Sequence, residues 1–347
     1  MDFEKKIKSL KEKIEKELLI FLSQNLKTEK FFNRNLNFFV DELKNFILRG
    51  GKRLRPILFI TGYQAVNGEN EEIIKASLSI ELIEAFVLMH DDIIDRDEKR
   101  RGAPSFHILM GERLTDKHLG ISAGIIGGDV LFNLGIKALI DSDFPADRKE
   151  KALKELLTAK EKCFFGELAD IILQKKEEAT EEEFFKMVEL KTASYTVELP
   201  LVMGAILGDA EEEIITGFRK FGKELGKAFQ IQDDILGTFG NPALTGKPAD
   251  SDIKEGKKTL LLIYALQNAT EEEKAFLRKT IGKGKVKEED INKVREIYKR
   301  TGALSYCKEK AKEFAQKAKE ILIDLKIKKE AKDFLCEFSD FIIRREL

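Results

Sequence analysis

Four carboxylates crowd seven positions of the stretch HDDIIDRDEKRRG, at Asp91, Asp92, Asp95 and Asp97, and a basic pair follows at Arg100 and Arg101. On a helix each residue turns about 100°, so Asp91 and Asp95 stack on one face with Asp92 roughly a quarter turn round. Stacked carboxylates at the carboxyl end of a helix oppose the helix dipole, which favours cations there. A hard divalent cation bound through carboxylate, water and phosphate oxygens relieves that conflict, and this is the Mg2+ style of ligation. Solvent relieves it too, with Arg96, Lys99 and Arg100 as neutralising neighbours. Asp97 lies outside the stacked set and reads as a solvated side chain.

A second acidic pair, Asp233-Asp234 in FQIQDDILG, again sits near the end of an apolar-periodic segment, with Gln230 three residues earlier sharing the face of Asp233. Helix bundles build metal sites from such facing carboxylates. If both clusters face one cavity, their charge calls for several cations, and those cations in turn suit a diphosphate. Basic residues stand at chain breaks: Lys52, Arg53 and Arg55 in GGKRLRP, Arg100-Arg101-Gly102, Lys191-Thr192, Lys247 in TGKP and Lys257 in EGKKT. Glycine lets backbone approach an anion closely, and arginine binds phosphate with two parallel hydrogen bonds. Each basic element alone also suits an ordinary wet surface, and Lys191 has Glu189 and Glu198 as local partners. The combination of two acidic clusters with five basic elements is what points to a metal–diphosphate site.

These residues need long helices to carry them. The chain of 347 residues is 43% hydrophobic and 35% charged, with a net charge of −1, six prolines and no tryptophan. Lys, Glu, Leu and Ala favour helix, and the balanced charge argues against a nucleic-acid footprint or an acidic disordered tail. Amphipathic helices are expected over 3–25, 30–48, 54–65, 70–96, 121–141, 147–175, 181–207, 211–236, 257–268, 270–281, 286–300, 303–325 and 328–345. A polar connection runs through Gly102, Pro104 and Gly111, and the longest break covers 237–258. No strand-like alternation stands out. The expectation is an all-α protein, with residues 1–30 as an N-terminal helical extension and 31–347 as one large helical domain. Cys163, Cys307 and Cys336 match no metal spacing and read as unpaired thiols of a reducing compartment, and the N-terminal segment lacks an apolar run of signal or spanning length. A cytoplasmic protein without a membrane span is the expectation.

The motifs, taken together and in order, resemble those of the all-trans polyprenyl (isoprenyl) diphosphate synthases over residues 30–340. The matching pieces are GGKRLRP, ELIEAFVLMHDDIIDRDEKRRGAPSFH, IGGDVLF, ELKTASY, FQIQDDILG and TGKPADSDIKEGKKT. The resemblance implies that residues 31–347 form the synthase domain, a single large helical bundle around a central cavity of the isoprenoid-synthase type. In it Asp91, Asp95 and Asp233 would hold Mg2+ on an allylic diphosphate, assisted by Asp92 and Asp234. Arg100, Lys191, Thr192, Gln230, Lys247 and Lys257 would contact that diphosphate. Gly51, Lys52, Arg55 and Arg101 would hold isopentenyl diphosphate, and a homodimer is the usual assembly. Two positions depart from the pattern. Glu84 stands where a His or Gln is usual, and pairing with Lys52 or Arg55 would accommodate it. Gly237 replaces the last Asp of the second motif.

The implied reaction is ionisation of the allylic diphosphate followed by head-to-tail condensation with isopentenyl diphosphate. It needs no covalent nucleophile, and no convincing Ser/His/Asp or Cys/His set is present. Phe86, five residues before Asp91, is placed to form the floor for the growing chain, with the smaller Val87 beside it. That pattern resembles short-chain members that stop at geranylgeranyl diphosphate; farnesyl or longer products are the alternatives. A terpene cyclase or a head-to-head synthase also uses DDxxD, but GGKRLRP and the second DD motif disfavour both. A regulatory subunit of a heteromeric synthase would be expected to lose an Asp motif, and this chain keeps two.

Overall fold

The structure is a computed structural model that describes residues 3–27, 37–240 and 250–344. In chain order the elements are α1 (Phe3–Asn25), α2 (Asn37–Leu48), α3 (Leu54–Gln64), α4 (Glu72–Ile94), β1 (Lys99–Arg100), β2 (Ala103–Pro104), α5 (Phe106–Leu114), α6 (Lys117–Ile140), α7 (Ala146–Lys175) and α8 (Glu181–Val188). A π-helical segment, π1 (Glu189–Glu198), joins α8 to α9 (Leu199–Leu207). Then follow α10 (Glu212–Phe239), α11 (Ser251–Glu255), α12 (Leu260–Asn268), α13 (Glu271–Thr280), α14 (Glu288–Arg300), α15 (Ala303–Asp324) and α16 (Lys329–Arg344). The expected helix start at residue 30 lies outside the described residues.

Two compact units make up the chain: Met1–Leu153 with Met203–Asp209, and Lys154–Val202 with Ala210–Leu347. The boundary falls within α7 and again within α9. In the first unit α4 is the central helix. It buries Ile73, Leu78, Ile80, Leu82, Ile83, Phe86 and Met89, a set too broad for one stripe, as expected of a helix packed on several sides. Its neighbours are α1, α3 and α6. Helix α1 buries Leu10, Ile14, Leu18 and Leu22 at four-residue spacing. Helix α6 approaches α4 through glycines: a side chain at Gly135 would strike Ile83 and the carbonyl of Ser79, and one at Gly128 would strike His90. By length and composition α6 could cross a membrane. Its packing against α4 and α5 accounts for the apolarity of one side, while Leu119, Ile121, Ile125 and Ile126 stay exposed.

In the second unit α10 has the central place, packed on α15 and π1. A four-residue glycine pair on α10 receives π1: an added methyl at Gly222 would overlap the Cα of Glu198, and one at Gly226 the Cα of Ala193. Around the base of α10, Ile231, Ile235, Ile253, Leu261, Val294 and Cys307 close an apolar cluster.

The sequence expectations hold for the long helices and fail between them. The polar connection after α4 contains a two-residue hairpin, β1 against β2, and the nine-residue helix α5, whose Phe106, His107 and Met110 are buried. Residues 181–207 do run as one helical stretch, but ten of them, Glu189–Glu198, take the wider π form. Helix α10 continues to Phe239, and α11 begins at Ser251, both inside the expected long break. All three cysteines are free, and two are buried.

The Gly226 contact supplies a test of this packing. Alanine is worth up to about 1 kcal/mol over glycine in an open helix, but the atom met at Gly226 is backbone that cannot swing aside. Gly226→Ala is expected to cost a net ~2 kcal/mol, read as a lower urea midpoint; a raised midpoint would show that π1 yields.

Candidate active site

Helix α4 ends at Asp95, and Arg96 then takes a left-handed conformation (φ 59°) that turns the chain back. The reversal brings Arg100 under the helix end. Its guanidinium grips Asp92 through Nε and Nη2, and Nη2 also reaches Asp91 Oδ2 at 3.4 Å and Asp97 Oδ2 at 3.3 Å. Burial alone would lower the pKa of Arg100, but the charges of Asp92 and Asp91 outweigh it, so the group is held above its usual range. Asp97 is therefore part of this network rather than a solvated residue. Its carbonyl accepts from Ser105 Oγ at 2.5 Å, and its N–H donates to Asp92 O at 2.9 Å. Asp92 is fully buried, whereas Asp91 and Asp95 are part-exposed, with carboxylate oxygens within 4.8 Å of each other. The stacking expected from helical periodicity is present.

Arg101, next in the chain, turns to a different task. It too is left-handed (φ 52°), and its Nη2 lies 2.8 Å from where a side chain on Gly51 would begin, so only glycine fits there. Gly51 itself has φ +128°, a conformation that side chains rarely adopt. Burial lowers the pKa of Arg101, with Arg53 and Arg100 adding to the effect and Glu81 and Glu84 opposing it. Arg55 donates to Glu84 Oε1 at 2.8 Å, which is the pairing expected as one option for this unusual glutamate. Arg53, grouped with Lys52 and Arg55 by sequence, is structural: it is buried, grips Glu81 and donates to Ile47 O at 3.0 Å. Lys52 is exposed. Phe86 is buried on α4 and packs edge-on against His90 (4.6 Å) and Phe132 of α6 (5.2 Å), while Val87 is half-buried.

In the second unit π1 carries Lys191 and Thr192. A side chain at Gly166 of α7 would overlap the backbone of Lys191, so π1 and α7 are in direct contact there. Lys191 Nζ lies 2.7 Å from Asp170 and 2.8 Å from Glu167, both on α7, and not against Glu189, which pairs with Lys223 and Lys227. Thr192 Oγ1 donates to Gln230 Oε1 (2.5 Å), whose Nε2 donates to Asp234 Oδ1 (2.7 Å). Gln230 thus serves Asp234 one turn on, rather than only sharing the face of Asp233. The two aspartates differ: Asp233 is exposed and Asp234 buried. Burial, then the charges of Asp252 and Asp233, hold the Asp234 carboxyl well above the usual range, against the Gln230 hydrogen bond and Lys257.

Asp252 carries an answer to the departure at Gly237. Its Oδ2 lies 2.5 Å from where a side chain on Gly237 would start, so a carboxylate from α11 fills the space of the missing one. Lys257 lies 2.9 Å from Glu255 and 3.9 Å from Asp252. Lys247 lies outside the described residues. Sequence reasoning gave no role to Asp252, Asp170, Glu167 or Glu81. The spacing of Glu167 and Asp170 on α7 was a visible signal, but nothing linked it to Lys191.

A family model described as Polyprenyl synthetase matches residues 38–298, a range that spans every site residue named above. Over 321 residues the chain is 33% identical to the geranylgeranyl diphosphate synthase of Saccharolobus solfataricus, covering 91% of this chain and 93% of that one. The chain belongs to the polyprenyl synthetase family. It is 34% identical over 307 residues to the geranylfarnesyl diphosphate synthase of Aeropyrum pernix, covering 87% and 92%. Among solved structures, the geranylgeranyl pyrophosphate synthase of Corynebacterium glutamicum, complexed with isoprenyl diphosphate and magnesium, matches with a TM-score of 0.92 and 31% identity over 100% of both chains. The fold is the all-α fold of these synthases, as expected, and the chain is a prenyltransferase.

The raised pKa of Asp234 has a stability consequence. A carboxyl that holds its proton more tightly when folded stabilises the fold at low pH, and that contribution is lost as pH rises from the unfolded pKa toward the raised folded value. With divalent ions chelated, Asp234→Asn is expected to raise the urea midpoint at neutral pH. The gain over wild type should vanish below about pH 4. A pH-independent difference would contradict the assignment.

Proposed function

We propose that this synthase catalyses Mg2+-dependent head-to-tail condensation of isopentenyl diphosphate with an allylic diphosphate, giving a short-chain product, geranylgeranyl diphosphate. The observation that carries this reading is the split between two adjacent arginines. Arg100 is turned onto the carboxylates of α4, and Arg101 onto Gly51 beside Arg53 and Glu84. One polar region is rich in acid and suits a metal-bound diphosphate; the other is built from cations and suits a second anion bound directly. A cyclising enzyme, with one diphosphate substrate, has no use for the second.

The donor set fits the metal. Asp91, Asp92 and Asp97 share one guanidinium, which leaves an excess of negative oxygen, the surrounding that hard divalent cations favour. In this reading Asp91, Asp95 and Asp233 hold the ions, with Asp92 and Asp234 steadying them from buried positions. When bound, Mg2+ offsets the charge that develops on the departing diphosphate. Arg100, Lys191, Thr192, Gln230, Lys247 and Lys257 would each contact the same diphosphate, as the family resemblance implies. Arg55, Arg101, Lys52 and the bare backbone at Gly51 orient isopentenyl diphosphate. The allylic C–O bond breaks, the double bond of isopentenyl diphosphate forms the new C–C bond, and a proton passes to the released diphosphate. Apolar helices keep water from the cation.

The exposed apolar side chains of α6 support a homodimer as the working form. Free thiols support a reducing, cytoplasmic setting. The Phe86–Phe132 contact supports Phe86 as the floor for the growing chain.

Purified protein with Mg2+, an allylic starter and labelled isopentenyl diphosphate is expected to form a prenyl diphosphate only when all three are present. Absence of label in any product would overturn the reading. Phe86→Ala is expected to shift the product, resolved by chromatography, toward longer chains; an unchanged distribution would remove Phe86 from the floor.

A further inference from the structure

Two glutamates on one face of α4, three residues apart, each meet an arginine of the segment that follows Gly51. The pairs are not equivalent. Arg53 is sealed, with its side chain 1% exposed, and it also holds Ile47 O and Glu15, so the Arg53–Glu81 pair is a fixture of the fold. In the Arg55–Glu84 pair the side chains are 19% and 12% exposed, and the contact is a single-point one from Nη1 to Oε1. This pair borders Arg101, whose charge Glu84 also favours. Lys52, Arg55 and Arg101 are the cations that the condensation reading gives to a second diphosphate, and Glu84 is the carboxylate paired with Arg55 and acting on the charge of Arg101.

We infer that Glu84 acts as a resident counter-anion of the second diphosphate subsite, which an incoming diphosphate must displace from Arg55. The inference rests on the condensation reading above. A carboxylate cannot donate to phosphate unless protonated, and it repels phosphate at close range. Glu84 therefore weakens capture of isopentenyl diphosphate, and by the same charge it weakens retention of inorganic diphosphate in that subsite. It does not touch the reacting carbons, so it is a positioning and specificity-determining residue and not a catalytic one.

Glu84→Gln keeps an acceptor for Arg55 and removes the charge. At saturating allylic substrate, the KM for isopentenyl diphosphate is expected to fall about three- to tenfold. The kcat and the KM for the allylic substrate should move less than twofold. Inhibition by inorganic diphosphate, competitive with isopentenyl diphosphate, should strengthen in parallel. An unchanged or raised KM overturns the inference, because a carboxylate that merely orients Arg55 would raise KM when lost. Should Glu84→Gln fail to fold, Glu84→Met, which removes the charge without adding a donor, reads the same charge removal. If wild-type protein incorporates no isopentenyl diphosphate, the condensation reading fails on its own. Titration calorimetry of inorganic diphosphate without Mg2+ then decides the charge argument: tighter binding by Glu84→Gln supports it, and equal or weaker binding overturns it.

Discussion

The carboxyl end of α4 gathers more negative charge than a helix terminus tolerates, and one guanidinium holds it together. Arg100 meets Asp91, Asp92 and Asp97 at once, from a position that only a sharp chain reversal supplies. That requirement explains the left-handed Arg96, the two-residue hairpin, and the Ser105 hydroxyl that bonds back to Asp97 O. It also sets where Arg101 falls. With Arg100 committed to the acids, its neighbour leaves the reversal at φ 52° against a bare glycine. The clamp neutralises part of the charge and leaves the rest. One positive charge against three carboxylates leaves the helix end net negative, where the helix dipole favours a cation.

The second unit solves a similar problem by different means. Lys191 and Lys257 are held between carboxylates, so each cation is positioned without being sealed. Asp234 is the opposite case, a buried carboxyl reached through a relay from Thr192 and Gln230 and pressed by the charge of Asp252. Its neighbour Asp233 is exposed, because successive residues on a helix point about 100° apart. One DD pair therefore presents one carboxylate to solvent and buries the other.

Much of this was legible in the residues. Helical periodicity located the long helices and stacked Asp91 on Asp95, because those features are set within one element. Sequence misjudged Asp97, and residue type and spacing alone grouped Arg53 with Arg55 where only the family resemblance set them apart, because burial is decided by what packs on a helix. The choice of Glu167 and Asp170 as partners of Lys191 was invisible for the same reason. The π-helical form of residues 189–198 escaped too. It follows from how closely Gly166, Gly222 and Gly226 admit that segment, and such contacts carry no periodic signal. The departure at Gly237 is accommodated by Asp252, whose carboxylate comes from another element, so that no spacing within the second motif reveals it.

Whether an ion pair serves the fold or the chemistry turns on its exchangeability. A sealed pair such as Arg53–Glu81 cannot open without leaving a buried charge, which costs about 3–5 kcal/mol. A part-exposed pair can exchange its carboxylate for a phosphate at little net cost, since water and ligand both compensate the cation during the swap. Lys191, Lys257 and Arg55 are all in this second class, and each stands where the family resemblance calls for a diphosphate contact. Cations kept paired but solvent-reachable are held in place without being closed to an anion. The same logic marks Glu84 as part of how the site selects its ligand, where sequence comparison alone would read it as damage.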